Sequence, residues 1–253
     1  MSRIAILCGT GMGSISESLI NSTSGISENI VVDSEWGQVP IESISSSSGD
    51  VYVVDRHHAI GGSRKPPHSI EHRANVHAAT SCNPDLIISV NSVGSMTQDF
   101  PPGAVGVASG ILDLSDRPWT FYDENAVHSD RTSPFDQAMS EICVNRLILD
   151  QGSAHRGIIV AQCVGPQYES PSEIDALEML GANVVGMTLG PEQRLISETG
   201  ISHVAIICSS NWAAGRSPGK PLAEIDHTIV DKMASSMQVL ITSCVISLLE
   251  KAS

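Results

Sequence analysis

Basic side chains are scarce in this chain. Lysine and arginine number 14 against 28 aspartates and glutamates, a formal net charge of −14 over 253 residues. That balance excludes nucleic acid and anionic membrane surfaces as partners. Any anion site must therefore be built locally, from a few basic groups and oriented backbone amides. Long apolar runs are also missing. The one apolar-rich stretch, near the C-terminus, is interrupted by charged and polar residues, so no membrane-spanning helix is expected. The apolar run after Met1-Ser2-Arg3 is ended at once by Cys8-Gly9-Thr10-Gly11 and has no cleavage site, which is too short for a signal peptide. A cytoplasmic location is the expectation. The six cysteines, at 8, 82, 143, 163, 208 and 244, contain no C-x-x-C pair and share no ligand spacing with the nine histidines. They read as reduced, mostly buried thiols, and no metal site is expected. No period of 20 to 50 residues repeats, which excludes a solenoid.

What is present is alternation. Apolar runs at 3–8, 51–54, 86–90, 158–163, 184–187 and 204–209 read as strands. Stretches at 70–82, 135–151, 172–180, 192–199 and 223–249 read as helices. In the last, Ile225, Ile229, Met233, Met237, Leu240, Ile241, Val245 and Leu248 fall near one helical face. Such alternation indicates an α/β fold with a mostly parallel sheet. With 41% apolar residues and no linker, residues 1–253 are expected to form one domain. Two regions resist the pattern: a serine-rich turn at 45–50 between two short strands, and a polar loop at 118–133 carrying Trp119, Phe121 and Tyr122. Long irregular loops with aromatics are often functional or interfacial.

Six segments at strand ends carry candidate chemistry. The most informative is Asn91-Ser92-Val93-Gly94-Ser95, expected to leave a buried strand as small, polar backbone able to present amides to an anion. Cys8-Gly9-Thr10-Gly11-Met12-Gly13 looks like a dinucleotide fingerprint, but its third glycine comes one residue early and no acidic residue follows at the required distance. It still permits close backbone approach, with the Thr10 hydroxyl available to an oxyanion; a plain strand-to-helix turn is the alternative. Arg56-His57-His58 offers a forked donor set suited to phosphate, or else a solvated surface cluster. Gly165-Pro166-Gln167-Tyr168-Glu169 sets a ring beside a carboxylate, as stacking on a purine and accepting its N1–H would require. Its alternative is a packed turn with Glu169 capping the next helix. Val185-Gly186-Met187-Thr188 brings a hydroxyl to a helix N-terminus, where anions are favoured. Ser209-Ser210-Asn211-Trp212-Ala213-Ala214-Gly215 closes a strand with an amide that can accept from a purine N7–H and donate to an O6, or serves as an ordinary turn.

The order of GTG, RHH, NSVGS, GPQYES, GMTLGPE and SNWAAG resembles the trimeric purine nucleoside phosphorylases, more closely the 5′-methylthioadenosine and 5′-methylthioinosine branch. The resemblance spans nearly the whole chain. It implies a single α/β domain with a twisted, mixed, largely parallel and partly barrel-like sheet flanked by helices. It implies a homotrimer, alone or paired into a hexamer, no metal or organic cofactor, and reversible phosphorolysis of a nucleoside with inorganic phosphate as co-substrate. Carried over by position, Thr10, Arg56, His57 and Thr188 match phosphate ligands, with backbone from Ser92. Asn91, Val93 and Gly94 belong to the same motif, which lies along the substrate. Met187 matches the residue whose backbone holds the ribose hydroxyls, and Tyr168 the aromatic packed on base or ribose. Glu169 and Asn211 match the pair that binds a 6-oxopurine, and His128 a residue lent by the neighbouring subunit near the 5′ group. Asn211, Glu169 and His57 are the candidate catalytic set.

Substrate choice rests on finer matches. Methylthioadenosine phosphorylases usually carry Asp at the Asn211 position and a second Asp where Ala213 stands here. Ile225 aligns with a His that inosine and guanosine phosphorylases use for the 5′-hydroxyl, and an apolar side chain there favours a methylthio group. The expected order is therefore 5′-methylthioinosine first, then inosine or guanosine, with methylthioadenosine as a further alternative. Cys8, Gln167, Glu71 and Ser92 depart from the usual Gly, Arg, Asn and Ala. The competing readings are a nucleosidase, in which water replaces phosphate, and a non-catalytic nucleoside binder.

Overall fold

Strand β1 (Ser2–Cys8) shows why the chain folds around its N-terminus. Its residues alternate between two cores: Ile4 and Ile6 pack on one face of the sheet, Ala5 and Leu7 on the other. A strand buried on both faces must sit inside a sheet, and β1 lies parallel between β4 (Gly49–Asp55) and β5 (Leu86–Ser95). These relations come from a computed structural model that describes residues 2–59 and 63–251. On the open side of β4, β2 (Ile26–Val32) and β3 (Val39–Ser46) add an antiparallel flank. At the β3–β4 turn Gly49 has φ 140°, and a Cβ there would meet Ser2 O at 2.4 Å, so only glycine fits.

The other half of the sheet closes on itself. β5 pairs with β8 (Val184–Gly186), β8 with β7 (His155–Gln162), β7 with β6 (Val105–Asp113), β6 with β9 (Ser202–Trp212), and β9 returns to β5. The nine strands thus form a mixed sheet with a five-strand ring, and of its nine pairings five are parallel and four antiparallel. The balance is less parallel than the sequence suggests, because β2, β3, β6 and β8 each bring an antiparallel pairing.

Helices cover both faces. α1 (Ile15–Thr23), α3 (Gln137–Gln151) and α7 (Gln238–Lys251) pack on one core; α2 (His72–Ser81) and α5 (Leu189–Ser197) on the other. α4 (Pro171–Met179) begins with a capping box between Ser170 and Glu173, with proline in its first turn. Cys8, Cys143, Cys208 and Cys244 lie in the first core as free thiols. Burial pushes the Cys8 and Cys208 thiols up to about 12.

Two expectations need correction. The helix expected at 223–249 is two helices, α6 (His227–Ser236) and α7, bent by 42°. Residues 223–226 are not helical, and Asp226 caps α6 by accepting from Thr228 N. The segment from Asn91 to Ser95 is not a loop but the continuation of β5, and β9 likewise runs on to Trp212. The 118–133 loop is tied down at its start. Trp119 is buried edge-on against His72 at 4.9 Å, under the Arg117 guanidinium at 3.8 Å, and Asp123 accepts from Arg73. No single helix among the described residues is long and apolar enough to cross a membrane.

Candidate active site

The carboxyl ends of β1, β4 and β5, where ligands of open α/β sheets gather, border a cavity of about 530 Å³. Thr10, Arg56, His57, Ser92, Val93 and Gly94 line it from these strands. Met187 and Thr188 follow β8, Tyr168 and Glu169 follow β7, Asn211 and Ala213 come from β9 and just beyond, and Ile225 precedes α6. Seven segments, spread along the chain from Thr10 to Ile225, thus meet in one volume. Two residues singled out from sequence do not line it. Asn91 lies behind the wall, and His128 is exposed on the 118–133 loop of the same chain.

One end of the cavity is rigidly built. The Arg56 guanidinium is 2% exposed. Its Nε donates to Glu192 Oε1 at 2.6 Å and its Nη2 to Glu192 Oε2 at 3.1 Å. Nη1 donates to Val90 O and Nη2 to Leu7 O, both at 2.8 Å. Four of five N–H groups are thereby used inside the protein, leaving one on Nη1. Arg56 is thus not the free cation that its sequence context suggests: Glu192, fully buried on α5, neutralises it. Gly9 packs against this group, since a Cβ there would meet His57 Cδ2 at 2.8 Å and Arg56 Nη1 at 3.0 Å.

His57 has a fixed tautomer. Its Nδ1 lies 2.8 Å from Lys65 O, and a carbonyl only accepts, so Nδ1 carries the proton and Nε2 is the acceptor. Burial lowers its pKa to about 4, and the imidazole is neutral near pH 7. Thr188 is the N-cap of α5 but makes no side-chain cap bond. Its hydroxyl accepts from Asn91 Nδ2 at 2.9 Å, so its own proton remains available to a ligand. Asn91 thus acts on Thr188 rather than on the cavity. Arg64 and Lys65 line the same end, and Arg64 is paired with Asp55 at 2.8 Å.

The opposite end is looser. Tyr168 is 39% exposed. Glu169 is pushed above the ordinary carboxylate range, chiefly by burial. Asn211 Nδ2 donates to Trp212 O at 2.8 Å, and its Oδ1 accepts from Ser210 Oγ at 3.0 Å. Beyond Ile225 the wall is polar: His227 and Asp231, one helical turn apart on α6 and 3.8 Å from each other, line the cavity with Val230.

Glu192, Ser210, His227 and Asp231 are the functional candidates that sequence reading passed over. Ser210 stood inside a recognised segment. Glu192 had no visible partner, because Arg56 is 136 positions away. The Asp226-His227 pair carried a usable N-cap signal, hidden by the apolar periodicity that seemed to start the helix at 223. No group of three His, Cys, Asp or Glu side chains among the described residues could hold a metal ion.

A strand-end cavity with a buried cation at one end and an amide with a carboxylate at the other defines a class, and the comparisons name it. Residues 3–246 match the model of the Phosphorylase superfamily, and the chain belongs to that family. A probable S-methyl-5′-thioinosine phosphorylase of Methanothermobacter thermautotrophicus is 34% identical over 212 residues, covering 83% of this chain and 73% of that protein. A probable 6-oxopurine nucleoside phosphorylase of Thermococcus kodakarensis is 32% identical over 245 residues, covering 92% of this chain and 87% of that protein. In fold, the chain matches methylthioadenosine phosphorylase from Schistosoma mansoni in complex with adenine. The TM-score is 0.86 at 19% identity, over 100% of this chain and 92% of that chain.

Proposed function

We propose that this protein is a purine nucleoside phosphorylase that releases a 6-oxopurine base and forms a ribose-1-phosphate, with 5′-methylthioinosine as first substrate. One observation carries the reading: a single cavity takes in Thr10, Arg56, His57 and Thr188 at one end and Glu169 and Asn211 at the other. Two reactants held together in this way gain the entropic advantage of an intramolecular reaction.

The residue chemistry suits the bond changes. The C1′–N9 bond breaks, its electron pair goes to the purine, and a phosphate oxygen bonds to C1′. The remaining Arg56 N–H, the Thr10 and Thr188 hydroxyls and the backbone at Ser92 hold phosphate. The neutral His57 Nε2 accepts a hydrogen bond from the hydroxyl that monohydrogen phosphate carries. As the departing base takes up a proton from solvent at N7, Asn211 Oδ1 accepts the resulting N7–H and Nδ2 donates to O6, while Glu169 accepts N1–H. The Nδ2 contact to O6 strengthens as the base gains negative charge, which is what lowers a barrier rather than merely binding substrate. One such preorganised contact is worth about 2.7–4 kcal/mol in the transition state. Met187 backbone meets the ribose hydroxyls, and Tyr168 packs on the nucleoside.

The protein acts as a homotrimer in which the 118–133 loop lends His128 to a neighbouring site. This rests on the loop's anchored start and its exposed His128 and Val127. A second substrate reading, inosine or guanosine, is favoured by a specific feature. His227 and Asp231 share the wall with Ile225, so a 5′-hydroxyl has polar partners nearby.

Base release from methylthioinosine, inosine and methylthioadenosine, each with and without phosphate, tests the proposal. Hypoxanthine released only with phosphate is expected, and the rate ratio of the first two substrates decides between Ile225 and His227. Adenine as main product overturns the roles of Glu169 and Asn211, and release without phosphate makes the protein a nucleosidase.

A further inference from the structure

Where β5 runs beside β9 the register slips: Val93 faces Ser209 and Gly94 faces Asn211, leaving Ser210 as an extra residue. Such a bulge re-aims side chains, and here two consecutive residues, Ser210 and Asn211, both line the cavity. The re-aimed Ser210 hydroxyl lies 2.6 Å from Ser92 Oγ, which donates to it. Ser210 in turn has two acceptors for its one proton, Asn211 Oδ1 at 3.0 Å and Val93 O at 3.2 Å. A continuous path of hydroxyls therefore joins Ser92 to Asn211. Ser92 shares the cavity with Thr10, Arg56 and His57.

We propose that Ser92 and Ser210 form a reversible hydroxyl relay through which phosphate binding readies Asn211 for the base. Both residues are positioning residues, and the inference rests on the phosphorylase reading above. In the empty protein the relay points from Ser92 to Ser210 and on to Asn211 Oδ1, partly occupying the oxygen that a purine N7–H needs. An anion beside Ser92 accepts a hydrogen bond from the Ser92 hydroxyl, which turns away from Ser210. Ser92 then accepts from Ser210, the relay reverses, and Asn211 Oδ1 is released as an acceptor. Only hydroxyl rotations are involved, so no bond is made or broken and no proton is left over. Phosphate and 6-oxopurine must then bind with positive cooperativity, and linkage makes the effect equal in both directions.

The test is hypoxanthine binding to the full chain by calorimetry, at zero and at saturating inorganic phosphate. Phosphate is expected to tighten hypoxanthine about fivefold or more, within the usual range of coupling between sites. Ser92→Ala and Ser210→Ala should each bring that factor to near one, while Ser92→Thr, which keeps a hydroxyl, retains it. An unchanged factor in Ser92→Ala, loss of the factor in Ser92→Thr, or a wild type whose hypoxanthine affinity ignores phosphate overturns the relay. Failure of hypoxanthine to bind the wild type at all defeats the phosphorylase reading instead, so the two failures are distinct.

Discussion

The two ends of the cavity are built on opposite plans. At the Arg56 end the side chains are committed before any ligand arrives: the buried Arg56 holds Glu192 and two carbonyls, the half-buried His57 holds Lys65 O, and the buried Asn91 holds Thr188. At the Asn211 end they are part-exposed and satisfied only by neighbours they can leave, and His227 and Asp231 face each other across 3.8 Å in solvent. The difference matches what each end recognises on the proposed function. A small anion of fixed shape is best met by donors that need no reorganisation. A nucleoside with variable base and 5′ group is met by side chains whose replacement leaves the core intact.

The largest expected effect breaks that contrast at its strongest point. Glu192→Ala leaves a buried guanidinium without its counter-charge and should cost about 3–5 kcal/mol in urea unfolding. Removing one member of the exposed pair, His227→Ala, should change stability by less than about 0.5 kcal/mol in the same experiment. Comparable losses from both variants would show that the two ends are not differently built.

The next effect concerns the adaptable end alone. Asn211→Asp supplies a second acceptor in place of the amide donor, so it should reject an O6 and accept an N6–H₂. The hypoxanthine-over-adenine ratio of kcat/KM is expected to fall by about 100-fold or more, sites built around a hydrogen bond discriminating by up to roughly 10⁴–10⁵. A preserved ratio would remove Asn211 from base recognition.

The smallest effect is a displaced titration. Burial raises Glu169, so on acidification it takes up its proton at a higher pH than an ordinary glutamate and loses the lone pair offered to N1–H. Hypoxanthine affinity without phosphate should therefore weaken as pH falls, from a point above the usual carboxylate range. His57, lowered to about 4, stays neutral until lower pH and adds no step near neutrality. Glu169→Gln should flatten the profile, and an unchanged profile would place the acid limb elsewhere.

Sequence legibility divides along similar lines. Strands buried on two faces, such as β1 and the first half of β5, announce themselves as apolar runs, and the motifs at their ends were readable as sites. β2 was not, because an edge strand that is largely exposed keeps polar residues such as Ser27, Glu28 and Asn29. α1 hid for a similar reason: only Ile15 and Leu19 of its nine residues are buried. The extension of β5 through Asn91-Ser92 was masked by small polar residues that ordinarily mark turns and here serve the cavity. The pairing of Arg56 with Glu192 is a property of folded geometry, which no local window contains.

The 42° break at Met237 separates two inheritances in one stretch of chain. α7 is anchored by Ile241, Cys244, Val245, Leu248 and Leu249 in the interior, whereas α6 offers the cavity His227, Val230 and Asp231 from its first turns. On the proposed reading, a mutant library or a segment graft confined to 222–231 can thus explore new 5′ groups while α7 and the Arg56 end of the cavity keep their parental sequence. In evolutionary terms, a lineage can exchange one nucleoside for another by editing a short exposed cassette.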